Sequence, residues 1–165
     1  SFAGGGTITS ALTNNQIRNY SGNAGIFDDN TGGTYAVNLT MTGNTAAEPG
    51  AGAFAGLALT AGAPSSSDAI HVCAQIGGAG ASQNDFSTGD PSNANDIILG
   101  GGASGASSIQ LPGLVPSGTE PARQTQVQNF VLANNNVAGT AVTAYVDSAT
   151  FASTFVGGAA CPTPP

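Results

Sequence analysis

Gln124-Thr125-Gln126-Val127-Gln128-Asn129-Phe130-Val131-Leu132-Ala133-Asn134-Asn135-Asn136-Val137-Ala138-Gly139-Thr140-Ala141-Val142-Thr143-Ala144-Tyr145-Val146-Asp147 carries two β-forming runs on either side of an asparagine-rich turn. In the second run Ala141, Thr143 and Tyr145 share one face and Val142, Ala144 and Val146 the other, the period-2 pattern of a strand. Asn134, Asn135 and Asn136 tolerate the left-handed backbone a turn requires, and Gly139 adds a second permissive position. The stretch reads as a hairpin, and so as the seed of an antiparallel fold. Upstream, Thr119-Glu120-Pro121 offers a cap, an acid and an early proline, the signs of a helix start, with Val127, Phe130 and Val131 as a short apolar face. The strand reading of Val127 to Leu132 is preferred over that helix.

Composition limits what such a domain can do. Nine acids face two arginines, Arg18 and Arg123, and the net charge is −7. Charged residues make up 7% of the chain, against about 25% in ordinary soluble domains. A phosphate backbone or an anionic lipid surface repels such a chain, which excludes nucleic acid as a partner. No run approaches the ~20 apolar residues of a membrane span. Solubility rests on hydroxyls and amides, which suits an exposed extracellular setting where little on the surface titrates. The chain starts at Ser1, which reads as a processed, secreted product.

Cys73 and Cys161 are the only cysteines. Neither lies in a CxxC or Cys/His spacing, so a disulfide between them is expected in place of zinc or thiol chemistry. Such a bond pins the C-terminal tail to the body of the protein.

From the N-terminus, three glycines separate Phe2 from the alternating run Thr7-Ile8-Thr9-Ser10-Ala11-Leu12. Residues 1–12 read as a hinged arm ahead of a single domain over 13–165. Asn19 and Asn38 each open a glycosylation sequon. In Thr34 to Thr42, Tyr35, Val37, Leu39 and Met41 share one face, as in a strand with one buried side. In Ala69 to Ile76, Ile70, Val72, Ala74 and Ile76 oppose His71, Cys73 and Gln75. Ala53 to Thr60 and Thr150 to Val156 are further expected strands.

The sole histidine, His71, has no second histidine near it in sequence and reads as a structural residue on a strand. A nucleophilic pair with Cys73 is disfavoured, because a cysteine in a disulfide has no thiolate to offer. Asp85, Asp90, Asn93, Asn95 and Asp96 concentrate carboxylate and amide oxygens in one segment. Calcium is the ion that set could hold, although the segment lacks the glycine offset and closing glutamate of an EF-hand. Ordinary Asx-turns are the competing reading. Gly100-Gly101-Gly102 lacks the Gly-Lys-Ser/Thr ending of a phosphate-binding loop, and Gly-x-Ser-x-Gly is absent. The chain reads as non-catalytic, with no cofactor beyond that possible calcium.

About seven to nine short β-runs divided by Gly, Asn, Ser and Pro turns predict an antiparallel β-sandwich or jelly roll with a mobile N-terminal strand. Sheet edges are usually protected by charge, which is scarce here. Unprotected edges and a hinged strand predict subunit-to-subunit strand addition, with Phe2, Thr7, Ile8, Thr9 and Leu12 on the donor strand and a head-to-tail polymer of identical copies as the product. In its short Thr/Val strands, its strand-Asn-Asn-strand phrase from Phe130 to Tyr145 and its glycine-hinged start, the chain resembles extracellular β-sandwich filament subunits as a group. These include donor-strand pili of the chaperone–usher kind and TasA-like fibres. That resemblance implies a secreted structural or adhesive fibre. The alternatives are a secreted binding module for calcium or carbohydrate and a virion surface protein.

Overall fold

The stretch expected to form a hairpin takes a different course. In a computed structural model, which describes residues 5–27, 34–62, 69–87, 95–101, 106–138, 142–146 and 151–164, Val127 to Leu132 lie within a 14-residue α-helix, Glu120–Ala133. Thr119 is extended ahead of it, Pro121 sits in the first turn, and Gln, Arg, Ala and Leu continue the helix at low cost. Two strands follow, but they lie in different sheets.

The chain winds in successive coils of three strands. The first coil is β1 (Gly5–Thr13), β2 (Gln16–Arg18) and β3 (Asn23–Phe27). The second is β4 (Thr34–Thr42), β5 (Thr45–Ala47) and β6 (Ala55–Ala61), and the third is β7 (Ala69–Ile76), β8 (Asp85–Phe86) and β9 (Asn95–Gly101). The fourth is β10 (Ser108–Pro112), helix α1 (Glu120–Ala133), β11 (Asn136–Val137) and β12 (Val142–Val146). A short helix α2 (Phe151–Thr154) then leads to β13 (Phe155–Gly158).

Each strand pairs with the strand one full coil away. Sheet A is β1-β4-β7-β10-β13, sheet B is β2-β5-β8-β11 and sheet C is β3-β6-β9-β12. Every pairing among the described strands is parallel. This overturns the antiparallel sandwich or jelly roll. Alternation fixes which side chains face inward but says nothing of a strand's neighbour, and parallel partners cannot be adjacent in sequence. The expected mobile N-terminal strand is likewise corrected. Thr7, Ile8, Thr9 and Leu12 belong to β1, which pairs with β4 of the same chain from Gly5↔Thr34 to Thr13↔Thr42. Phe2 lies outside the described residues.

The core runs up the inside of the coils as stacked columns. Ile8, Val37, Val72, Ile109 and Phe155 share one register position in sheet A, and the last four are at most 1% exposed. In sheet C, Leu57, Ile97 and Val142 form one column and Leu59, Leu99 and Ala144 another. All six are buried. The inward faces expected for residues 34–42 and 69–76 are those observed, with Tyr35, Val37, Leu39 and Met41 buried beside Ile70, Val72, Ala74 and Ile76.

The two ends of the stack differ. At the C-terminal end α1 packs on β12, β11 and α2. Its Val127 and Val131 are buried in the core, and Gln124 Nε2 donates to the Ala144 carbonyl at 2.9 Å. With Val127 and Val131 in the core and contacts to β11 of sheet B and β12 of sheet C, α1 covers that end. At the other end Leu12 and Ile17 are 47% and 36% exposed, whereas Met41 and Ala46, their partners one coil on, are 7% and 4% exposed.

Candidate functional site

At the corner between sheets A and B, each of the first four coils places an asparagine just ahead of its sheet B strand. These are Asn15, Asn44, Asn84 and Asn135, spaced by 29, 40 and 51 residues. Their amides form a continuous ladder with one direction. Asn15 Nδ2 donates to Asn44 Oδ1 at 2.9 Å, Asn44 Nδ2 to Asn84 Oδ1 at 2.9 Å, and Asn84 Nδ2 to Asn135 Oδ1 at 2.8 Å.

The same nitrogens reach back to the preceding coil. Asn44 Nδ2 donates to the Leu12 carbonyl at 2.8 Å, Asn84 Nδ2 to Met41 at 3.0 Å and Asn135 Nδ2 to Ile76 at 3.2 Å. Asn44 and Asn84 thus each tie three coils together at a turn, and Asn135 ties the last two, where strand hydrogen bonding is interrupted. Asn135 ends the ladder against the helix, its Nδ2 also donating to the Val131 carbonyl at 2.8 Å.

Beside the first rungs lies a cavity of about 390 Å³, lined by apolar side chains that include Leu12, Ile17, Met41, Leu57 and Phe86, with Asn15, Asn44 and Asn84 along one wall. It is the interior of the first coils. Its lining of apolar side chains and amides offers apolar contact and hydrogen bonds.

Of the expected calcium ligands, Asp85, Asn95 and Asp96 fall among the described residues, and each accepts hydrogen bonds within the protein. Asp85 Oδ1 accepts from Ser87 N at 3.0 Å, Ser87 Oγ at 2.6 Å and Asn136 Nδ2 at 3.1 Å, as in an Asx-turn braced by the next coil. Asn95 Oδ1 accepts from Thr143 Oγ1, and the buried Asp96 accepts through Oδ2 from Ala138 N at 2.9 Å. Asp90 and Asn93 lie outside the described residues. Among the described residues no three His, Cys, Asp or Glu side chains form a metal-holding group.

His71 is exposed on the outer face of β7, its Nδ1 2.9 Å from Ser108 Oγ. Cys73 and Cys161 form the expected disulfide. Asn19 is exposed with a φ of 54°, and Asn38 Nδ2 donates to Thr9 Oγ1 at 3.2 Å on the outer face of sheet A. Arg18 and Glu48 make an exposed ion pair at 2.9 Å. No helix among the described residues is long and apolar enough to cross a membrane.

The ladder went unread in the sequence, although a signal for it is present. Asn15-Gln16-Ile17, Asn44-Thr45-Ala46, Asn84-Asp85-Phe86 and Asn135-Asn136-Val137 repeat one phrase, an asparagine with an apolar residue two positions on. Ile17 opposes Ala46 and Phe86 opposes Val137 in sheet B.

The fold and its ladder define a short parallel β-helix, helix-covered at one end. No protein-family model matches the chain, and no curated protein or solved structure matches it.

Proposed function

We propose that this chain is a non-catalytic structural module of an extracellular assembly, a filament or surface layer, and that it joins its neighbour by strand addition along β1, β2 and β3. The observation that carries this reading is the contrast between the ends. All three sheets finish at the first coil in strands with no outer partner among the described residues, over an apolar opening, whereas α1 covers the other end. A nine-residue edge such as β1 is a template for another strand, and the few charges of this chain do little to block it.

The disulfide suits an oxidising compartment outside the cytosol, and the low charge suits a surface that must pack against others. A head-to-tail polymer of identical copies fits less well, because α1 occupies the end that each copy would have to offer. The reading is tested on protein isolated from its native source, imaged by electron microscopy before any denaturing step. Regular assemblies containing this chain are expected. Dispersed single particles at all concentrations would remove the structural role.

A further inference from the structure

We infer that the outer face of β1, β2 and β3 is the seat of one more parallel β-helical coil, whose corner presents an asparagine to Asn15. This inference rests on the assembly reading above and names the chemistry of the occupant.

The ladder supplies the argument. Asn44 and Asn84 each accept through Oδ1 from the coil before them and donate through Nδ2 to a strand carbonyl of that same coil. Asn15 makes only the forward half of this pattern, donating from N and Nδ2 to Asn44 Oδ1 at 3.0 and 2.9 Å. Among the described residues nothing donates to Asn15 Oδ1, and no preceding strand offers its Nδ2 a carbonyl. Both missing partners are those a preceding coil supplies, at the positions that Leu12 O and Asn15 Nδ2 hold for Asn44.

The apolar surface agrees. Leu12 and Ile17 stand where Met41 and Ala46 stand one coil later, and only the first pair is exposed. A coil laid on β1 and β2 continues the interface that β1 and β2 already make with β4 and β5. A second copy of this chain does not complete it. Facing copies related by a two-fold axis would set their β1 strands antiparallel, out of step with the ladder, and the far end is covered by α1.

The test adds a coil in the natural order. A second copy of residues 5–33 is inserted ahead of Gly5, so that the copied asparagine falls on Asn15, 29 residues away as Asn15 is from Asn44. Amide exchange across the original β1 is expected to slow on the order of 100-fold. Asn15→Ala is expected to shift the unfolding equilibrium about tenfold more in the lengthened protein than in the original chain. A second variant carries residues 34–68 in the same place, in case the first copy does not fold. If both added coils remain unprotected on a folded parent, or if Asn15→Ala costs the same in both backgrounds, the inference is wrong. Protection in the lengthened protein combined with dispersed native particles would retain the seat and remove the assembly role. Native assemblies without protection would place the contact on another surface.

Discussion

Asn84 Nδ2 donates to Oδ1 of Asn135 at 2.8 Å across 51 residues of sequence, with both side chains buried at 1% and 4% exposure. Asn84 also accepts from Asn44 N and Nδ2 at 3.0 and 2.9 Å and donates to Met41 O at 3.0 Å. Truncation to alanine leaves several polar groups without partners in a buried turn. Asn84→Ala is expected to cost about 2–4 kcal/mol, whereas Asn15→Ala, on the exposed first rung, costs about 0.5 kcal/mol or less. Urea unfolding of both variants checks the contrast, and equal losses would mean that the ladder does not hold the coils together.

The strand faces of β4 and β7 were legible because burial imposes a period of two whatever the pairing. The topology was not. A parallel β-helix is announced by a regular repeat, and here the rung spacing grows from 29 to 40 to 51 residues as loops and α1 are inserted. Sheet B was hidden for another reason, since β8 and β11 are two residues each and lie within what reads as turn sequence. Asn134 and Asn135 turn the chain from α1 into β11 and not between two paired strands, and without the left-handed backbone expected of them, Asn134 having a φ of −99°; Asn135 closes the ladder and Asn136 starts a strand. The open end required the pairing itself, because exposure of Leu12 and Ile17 has meaning only beside Met41 and Ala46.

Tyr20 provides a pH dependence. Burial, with the Asp96 carboxylate adding to it, raises its phenol above the ordinary 10.0. The unfolded chain therefore releases this proton first. The contribution to stability is full below about pH 10 and is lost as pH rises through the folded value. Urea midpoints are expected to fall across that alkaline range, and Tyr20→Phe should flatten part of the fall. An unchanged alkaline decline in the Phe variant would assign the effect to other groups.

The Cys73–Cys161 bond spans 88 residues and ties the tail to the outer face of sheet A, where Gln110 Nε2 also donates to the Ala159 carbonyl at 2.9 Å. Closing a loop of that size restricts the unfolded chain by roughly 4 kcal/mol of entropy. The paired Cys73→Ser and Cys161→Ser variant is expected to lose about 2–4 kcal/mol while keeping its β-sheet spectrum, because the column that holds Val72 and Ile109 lies on the opposite, inner face. Guanidinium unfolding with and without reductant measures the loss. Collapse of the sheet spectrum on reduction would show that the bond is needed to form the coils and not merely to fasten the tail.

Gly157 opposes Leu111 in the last strand pair of sheet A, and a Cβ there would run into the backbone carbonyl of Leu114. That carbonyl has little room to yield. Leu114 N donates to Leu111 O at 3.0 Å and Gly113 N to Gly158 O at 3.3 Å, which holds the turn against β13. Gly157→Ala must therefore displace main chain at the covered end of the stack, with an expected cost of about 2–4 kcal/mol. Gly6 is the control at the open end, where a Cβ meets no atom within 4 Å. Its replacement by alanine restricts the unfolded chain without a clash and is expected to stabilise by about 0.4–1 kcal/mol. Thermal melts of the two variants separate the ends, and a Gly157→Ala protein as stable as the original would show that the turn after β10 can move away from β13.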